Sequence, residues 1–451
     1  MTTSSIPDVL PVREPPVLDV LAVPAPSRAR RAEPGLFRNL LAGLGIIFGW
    51  CWRIIVGAFF CMNIFTSVLV TGWTYRWIQA RVLRGWWKRS GLRKAGSFED
   101  FCASLGPDAP VQRPRWFWQE RALSALTRRT RNGAQPSVLR QAFRALRLPW
   151  HSLWLNFKIG VQATVCTWLL VGWGCLIMVV SWNFGWLNSF NKGYEESLVG
   201  PLSGLLVGIP LFIAAMFYVP MAQVHQAVTG DARAFFDFRF IWKLIHARLT
   251  VYVGLAALIG FFGLILEALK AAPVGFGNSD AYAELSNSEV LQKLWVYLLI
   301  CCFVLFPMLL IVRLVAAAIY RSAVLKVLRR GLVQRSELHP TLRNWLDRLG
   351  IHSPALPPVH PVQRVARSGG RWLYRSILYV CLFLIWFGVV AQVYIGEFFK
   401  YHPSLGSVNP TDRYGNEQPF VGLLNYPLIQ FPCFDLIPKH LKDSVAAQKV
   451  E

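Results

Sequence analysis

Acidic side chains are scarce in this chain: 24 Asp and Glu stand against 47 Lys and Arg, for a net charge of +23 over 451 residues. Charged residues of either sign make up only 16%, well under the roughly 25% usual for a soluble globular protein. None of the nine cysteines forms a CxxC pair or a zinc spacing, so neither a disulfide framework nor a zinc module is expected. There is no G-x-S-x-G, H-E-x-x-H or Walker loop. What is abundant is apolar: 54% of the residues are hydrophobic, with 19 Trp and 30 Phe. That composition excludes a disordered or collagen-like chain.

The apolar residues are gathered into long runs. A helix needs about 20 of them to cross the hydrocarbon core. Six stretches qualify: Ile54–Thr74, Ile159–Ser181, Leu198–Val219, Thr250–Leu269, Leu294–Ile319 and Leu373–Ile395. Strand alternation is absent, and backbone groups in lipid must pair within their own segment, so these runs read as helices. Glu267, at the end of its run, is the one acid they contain. A seventh stretch, Leu36–Trp52, carries Arg38 and reads as an interfacial helix. If it crosses instead, the spans number seven. The expected fold class is all-α: a polytopic transmembrane helical bundle of about six spans, open to grouping as three parallel two-helix hairpins. Residues 1–35 hold seven Pro and read as a disordered tail.

Charge orients the bundle. Residues 75–158 hold 17 Lys/Arg against 4 Asp/Glu, 221–249 hold 4 against 2, and 321–372 hold 10 against 2. The segments 182–197, 267–293 and 396–451 are each slightly acidic. Basic loops stay cytoplasmic, which puts the three basic connections inside and, with six spans, both termini outside. Arg28, Arg30, Arg31 and Arg38 favour a cytoplasmic start, which a seventh crossing supplies. The expected location is the inner membrane of a bacterial cell, the source suggested by the preference for Arg over Lys. The basic excess is what this topology requires and also suits anionic lipid headgroups. Nucleic acid is the weaker reading of the same charge.

A short repeat follows two of the runs. Tyr75-Arg76, then Arg81-Val82-Leu83-Arg84 and Gly85, matches Tyr320-Arg321, then Lys326-Val327-Leu328-Arg329 and Gly331. The pattern reads as a Tyr at the interface, basic residues on the wet face and a Gly stop. Either duplication or convergent interface chemistry explains it. Arg76, Arg81, Arg84, Arg321, Lys326 and Arg329 are the expected headgroup contacts.

Ionisable groups inside spans are the usual functional signal in a membrane protein. Here the polar candidates are Arg53, Asn63, Gln162 and Arg313, with snorkelling the expected role of both arginines. Small residues at Gly200, Gly204 and Gly208 predict a close helix contact. His225, His246, Asp231 and Asp237 share a loop but match no metal-ligand spacing, so no metal, cofactor or catalytic residue is expected. Arg115–Arg131 reads as an amphipathic helix on the inner leaflet, residues 137–148 as a further short helix, 332–370 as a helix-poor linker, and 396–451 as a turn-rich outer tail.

Thr229-Gly230, Ala234-Phe235-Phe236-Asp237-Phe238, Ile241, Leu244-Ile245 and Tyr252 resemble an uncharacterised family of bacterial and archaeal polytopic membrane proteins. The resemblance spans about 220–265 and implies a turn, an amphipathic helix and then a span. It implies no activity. The function expected is non-enzymatic: organisation of the bilayer or of partner proteins through basic loops. The alternative is a transporter component with a path between hairpins.

Overall fold

The computed structural model describes residues 36–94, 98, 101–102, 138–191, 202–277, 287–351 and 361–400. The expected tail at 1–35, the helix at Arg115–Arg131 and the outer tail beyond residue 400 lie outside them. Two units divide the chain, Met1–Ile46 and Ile47–Glu451. The first contributes the opening turns of α1, and the second holds the bundle.

Every described regular element is helical, with no strand among the described residues. They are α1 (Leu36–Cys61), α2 (Ile64–Trp87), α3 (Val138–Asn191), α4 (Ile209–Thr229), α5 (Phe238–Ala247), α6 (Leu249–Gly277), α7 (Asn287–Arg329), α8 (Pro340–Arg348) and α9 (Pro361–Lys400). Five helical segments are long and apolar enough to cross a bilayer: Trp150–Ser181, Gly204–Thr229, Leu249–Leu269, Trp295–Arg329 and Trp372–Ala391. The chain is a multi-pass membrane protein.

The expected first span, Ile54–Thr74, is not one helix. It breaks at Met62-Asn63, leaving the shorter apolar helix Phe48–Cys61 before it. Asn63 causes the break. Its backbone is extended, its Oδ1 accepts from the Phe65 N–H at 2.9 Å, and Thr66 Oγ1 donates back to the Phe60 carbonyl at 2.6 Å. Asn suits this role because its side chain replaces a missing helical acceptor. Asn63 therefore serves as a helix cap.

From Asn63, α2 runs into the centre of the bundle. Residues 72–79 are all buried. It crosses α3 closely at two glycines. A Cβ on Gly72 would strike the Asn156 backbone, and one on Gly160 would strike that of Val68. Small residues let helices approach in this way where lipid offers no hydrophobic drive for association. A Cβ on Gly208 would meet Met178 of α3, and one on Gly204 would strike the Tyr394 side chain of α9 with Ser181 of α3 just beyond it, so both positions are close contacts as expected; Gly200 lies outside the described residues.

Two further expectations change. The short helix at 137–148 is continuous with the span after it, in the single 54-residue α3. The linker at 332–370 contains α8 and the opening of α9 instead of being helix-poor. Pro340 and Pro361 each open a helix, where a missing N–H costs nothing, so these prolines start structure instead of breaking it. Gly331 ends α7 with φ of 62°; its N–H bonds the Leu328 carbonyl and the Leu332 N–H bonds that of Val327, both at 3.1 Å. That double return is the left-handed cap glycine permits.

The packed core lies where α2, α4, α5, α7 and α8 meet, and includes Ile78, Leu83, Trp86, Val228, Phe235, Leu244, Tyr320 and Trp345. Elsewhere the spans expose Trp168, Leu169, Trp173, Leu176, Ile377 and Leu384, as lipid-facing helices do. Trp345 of α8 is 1% exposed. Trp345→Ala is expected to lower the unfolding free energy by about 3–5 kcal/mol, and Trp345→Phe by much less, measured by denaturation in detergent.

Candidate anion-binding cleft at the basic end

Side-chain contacts bring the basic segments to one end of the bundle. Gln79 of α2 donates to the Val228 carbonyl near the end of α4, at 3.5 Å. Trp86 Nε1 donates to the Arg321 carbonyl of α7 at 3.2 Å. His225 Nδ1 and Tyr320 OH share a hydrogen bond of 2.8 Å. On the far side, Thr250 Oγ1 meets Tyr374 OH at 3.1 Å, joining the start of α6 to α9.

The repeat turns inward. Tyr75 and Tyr320 are 1% and 0% exposed, so neither is an interface anchor. Arg76 is 4% exposed and donates through Nη1 to Asn156 Oδ1 at 2.7 Å and Ser152 Oγ at 3.2 Å. It ties α2 to α3 and is not a headgroup contact. Gly85 does not stop its helix; it makes room for the half-buried Arg321 guanidinium. The copies therefore pack against each other, with Trp86 and Tyr320 rings 6.3 Å apart. Local pattern cannot show this, because it depends on which helix lies alongside.

The other expected contacts lie further out. Arg81 and Arg84 are exposed, over the rings of Trp77 at 5.3 Å and Phe98 at 5.8 Å. Arg53 covers Trp50 at 5.4 Å, and Trp50 meets Trp77 edge-on at 5.6 Å. Partial burial, with Arg84 and Arg53 close by, pushes the Arg81 pKa below its ordinary value. Arg329 is exposed and Lys326 half-buried. Gln162 is half-buried on α3. Arg313 is 6% exposed, with its guanidinium 4.8 Å over the Tyr75 ring. It is buried inside the bundle against α2.

The four residues weighed as metal ligands are separated. His225 is buried against Tyr320, Asp237 caps α5 by accepting from the Phe240 N–H at 3.2 Å, and Asp231 Oδ1 accepts from the Arg233 N–H at 2.9 Å. Among the described residues no three His, Cys, Asp or Glu side chains could share a metal ion.

His246 belongs to a cleft of about 390 Å³ lined by Arg239, Trp242, Lys243, His246, Ala247, Arg330, Leu332 and Arg375. Helix α5 builds one wall. Phe240, Ile241, Leu244 and Ile245 face the core, which turns Arg239, Trp242, Lys243 and His246 to the other side at helical spacing. Arg330 and Leu332, just past the end of α7, and Arg375, about four turns into α9, close it. His246 Nδ1–H donates to the Trp242 carbonyl at 2.8 Å, leaving Nε2 to accept from Tyr379 OH at 3.2 Å. Arg375 Nη2 donates to the His246 carbonyl at 3.4 Å. Lys243 pairs with Glu337 at 3.5 Å, both partly exposed, a weak bond in water. The lining has four cations and no acid, an arrangement that attracts anions. The α5 wall was visible in sequence as basic residues at helical spacing; the Arg330 and Arg375 walls were not.

Residues 148–271 match the family model described as "Protein of unknown function (DUF4013)". The match covers roughly a quarter of the chain and includes the segment whose resemblance was noted. In the structure that segment is the turn at Gly230, a short 3-10 helix Arg233–Phe236, α5 and the start of α6, the unit that supplies the α5 wall. No curated protein and no solved structure matches.

The Arg76–Asn156 bond carries a direct expectation. Asn156→Leu leaves a buried guanidinium short of an acceptor and is expected to cost about 2 kcal/mol or more. Adding Arg76→Met is expected to recover part of that loss, and a double-mutant cycle in detergent measures it.

Proposed function

We propose that this multi-pass membrane protein binds anionic phospholipid headgroups in the cleft at its basic end, and through them organises the bilayer or a partner protein without catalysing a reaction. The observation that carries this reading is the convergence of Arg239, Lys243, Arg330 and Arg375 on one cleft, beside the ends of membrane-spanning helices. Basic pockets between helix ends suit lipid phosphates. The polar wall fixes the phosphate, and Trp242 and Leu332 face the apolar part of a lipid. Exposed Arg81, Arg84 and Arg329 extend the positive surface. The membrane proposed is the inner membrane of a bacterial cell, with the basic end cytoplasmic.

The competing reading is a transporter component with a path between helices. Solute flux into proteoliposomes would favour it.

The test is retention of phosphatidylglycerol against phosphatidylcholine by purified protein in mixed micelles. Phosphatidylglycerol is expected to bind selectively. Each cation near the surface contributes about 1 kcal/mol, so Arg239→Gln with Arg375→Gln is expected to weaken binding roughly 25-fold. Equal retention of both lipids, or no effect of the double substitution, would contradict the proposal.

A further inference from the structure

Helix α5 carries an aromatic row that the core does not cover. Phe238 and Trp242 stand one turn apart on it and are 44% and 36% exposed; Phe236, just before the helix, is 37% exposed. Their rings meet one level of α4. Phe236 lies 6.3 Å from Phe238, Phe238 lies 5.0 Å from Tyr218, and Trp242 lies 6.5 Å from Tyr218 and 6.0 Å from Phe217.

These contacts fix how α5 lies. Residues 238 and 242 are about 6 Å apart along the helix axis, yet both meet Tyr218. A helix parallel to α4 would meet successive turns of it instead. Phe240, on the opposite face of α5, meets the His225 ring at 4.8 Å, seven residues and about 10 Å further along α4. Helix α5 therefore crosses α4. One face turns toward His225, and the aromatic row turns back toward the middle of the span.

The row sits at a boundary on α4. The helical run Gly204–Thr229 exposes Leu206, Val207, Leu211 and Ala214, all apolar, and no residue from Tyr218 to Thr229. The exposed apolar surface of the span ends where the aromatic row begins. Arg233, Arg239 and Lys243 flank the row and are exposed. Aromatic rings between an apolar surface and a basic one match the residue preference of the membrane interface. A helix with an apolar stripe beside a cationic one lies in that plane.

We propose that α5 lies in the plane of the membrane, with Phe236, Phe238 and Trp242 inserted at the boundary between acyl chains and headgroups. The partner of this surface is the lipid leaflet itself. Arg239 and Lys243, one position further round the helix, then stand at phosphate level, and the cleft opens sideways to lipid. The insertion does not depend on which headgroup the cleft takes.

The experiment places benzoylphenylalanine, a photoreactive residue close to Phe in shape, at position 236, 238, 206 or 344 of the full chain, one at a time. Position 206 lies on the exposed apolar surface of the span, and position 344 is exposed on α8. Each protein is reconstituted in vesicles of phosphatidylcholine alone, irradiated and weighed by mass spectrometry. A gain of one phosphatidylcholine is expected at 206, 236 and 238, and none at 344. With no anionic lipid present, this outcome is separate from headgroup selectivity in the cleft. Positions 236 and 238 are separate variants, so one that fails to fold leaves the other to decide. Lipid addition at 206 but at neither folded 236 nor 238 would overturn the proposal. So would cross-linking of 236 and 238 to a second copy of the chain in place of lipid.

Discussion

Helix α2 carries Arg76 and Gln79 into the buried interior of an apolar bundle, and the surrounding helices supply their hydrogen-bond partners. Arg76 reaches Asn156 and Ser152, Gln79 reaches the Val228 carbonyl, and Trp86 reaches the Arg321 carbonyl. Together these bonds join α2 to three helices: α3, α4 and α7. A buried polar group without a partner costs on the order of 1–3 kcal/mol, so displacing any of these helices strands a group on α2. The glycine crossing at Gly72 and Gly160 permits this, because only bare backbone lets α2 come close enough for Arg76 to meet Asn156.

That arrangement gives the two ends of the bundle different characters. At the basic end, α2, α4, α5, α7 and α8 share a packed core that includes Trp86, Phe235 and Trp345. Along the spans, large apolar side chains face outward. Buried side chains gather behind α5 at this end, so the cleft wall it forms rests on a packed base. Helix α5 shows the link from sequence to site: Asp237 starts it, its apolar face docks it, and its basic face is thereby turned into the cleft.

Much of the bundle was legible in the sequence. Twenty-residue apolar runs are a strong local signal, and five of the six became helices able to span. Ile54–Thr74 failed because a single Asn inside an apolar run can cap a helix, and hydropathy averages over it. The Tyr-Arg repeat failed for another reason. Tyr and Arg near a span end suit an interface and equally suit a helix–helix contact; only the neighbouring chain decides. Pro340 and Pro361 misled because proline ends one helix and begins the next with the same residue. The cleft was half legible: Arg239, Lys243 and His246 lie on one helical face, whereas Arg330 and Arg375 join them from elements some 90 to 130 residues away in the sequence.

The proposed headgroup binding requires that basic segments far apart in the chain share one side of the membrane around α2. Single cysteines at positions 84, 239 and 329, in a background lacking the native cysteines, test it by labelling with a membrane-impermeant maleimide in sealed vesicles of known orientation. All three are expected to react from the same side. Reaction of position 84 from the side opposite to 239 and 329 would contradict the account.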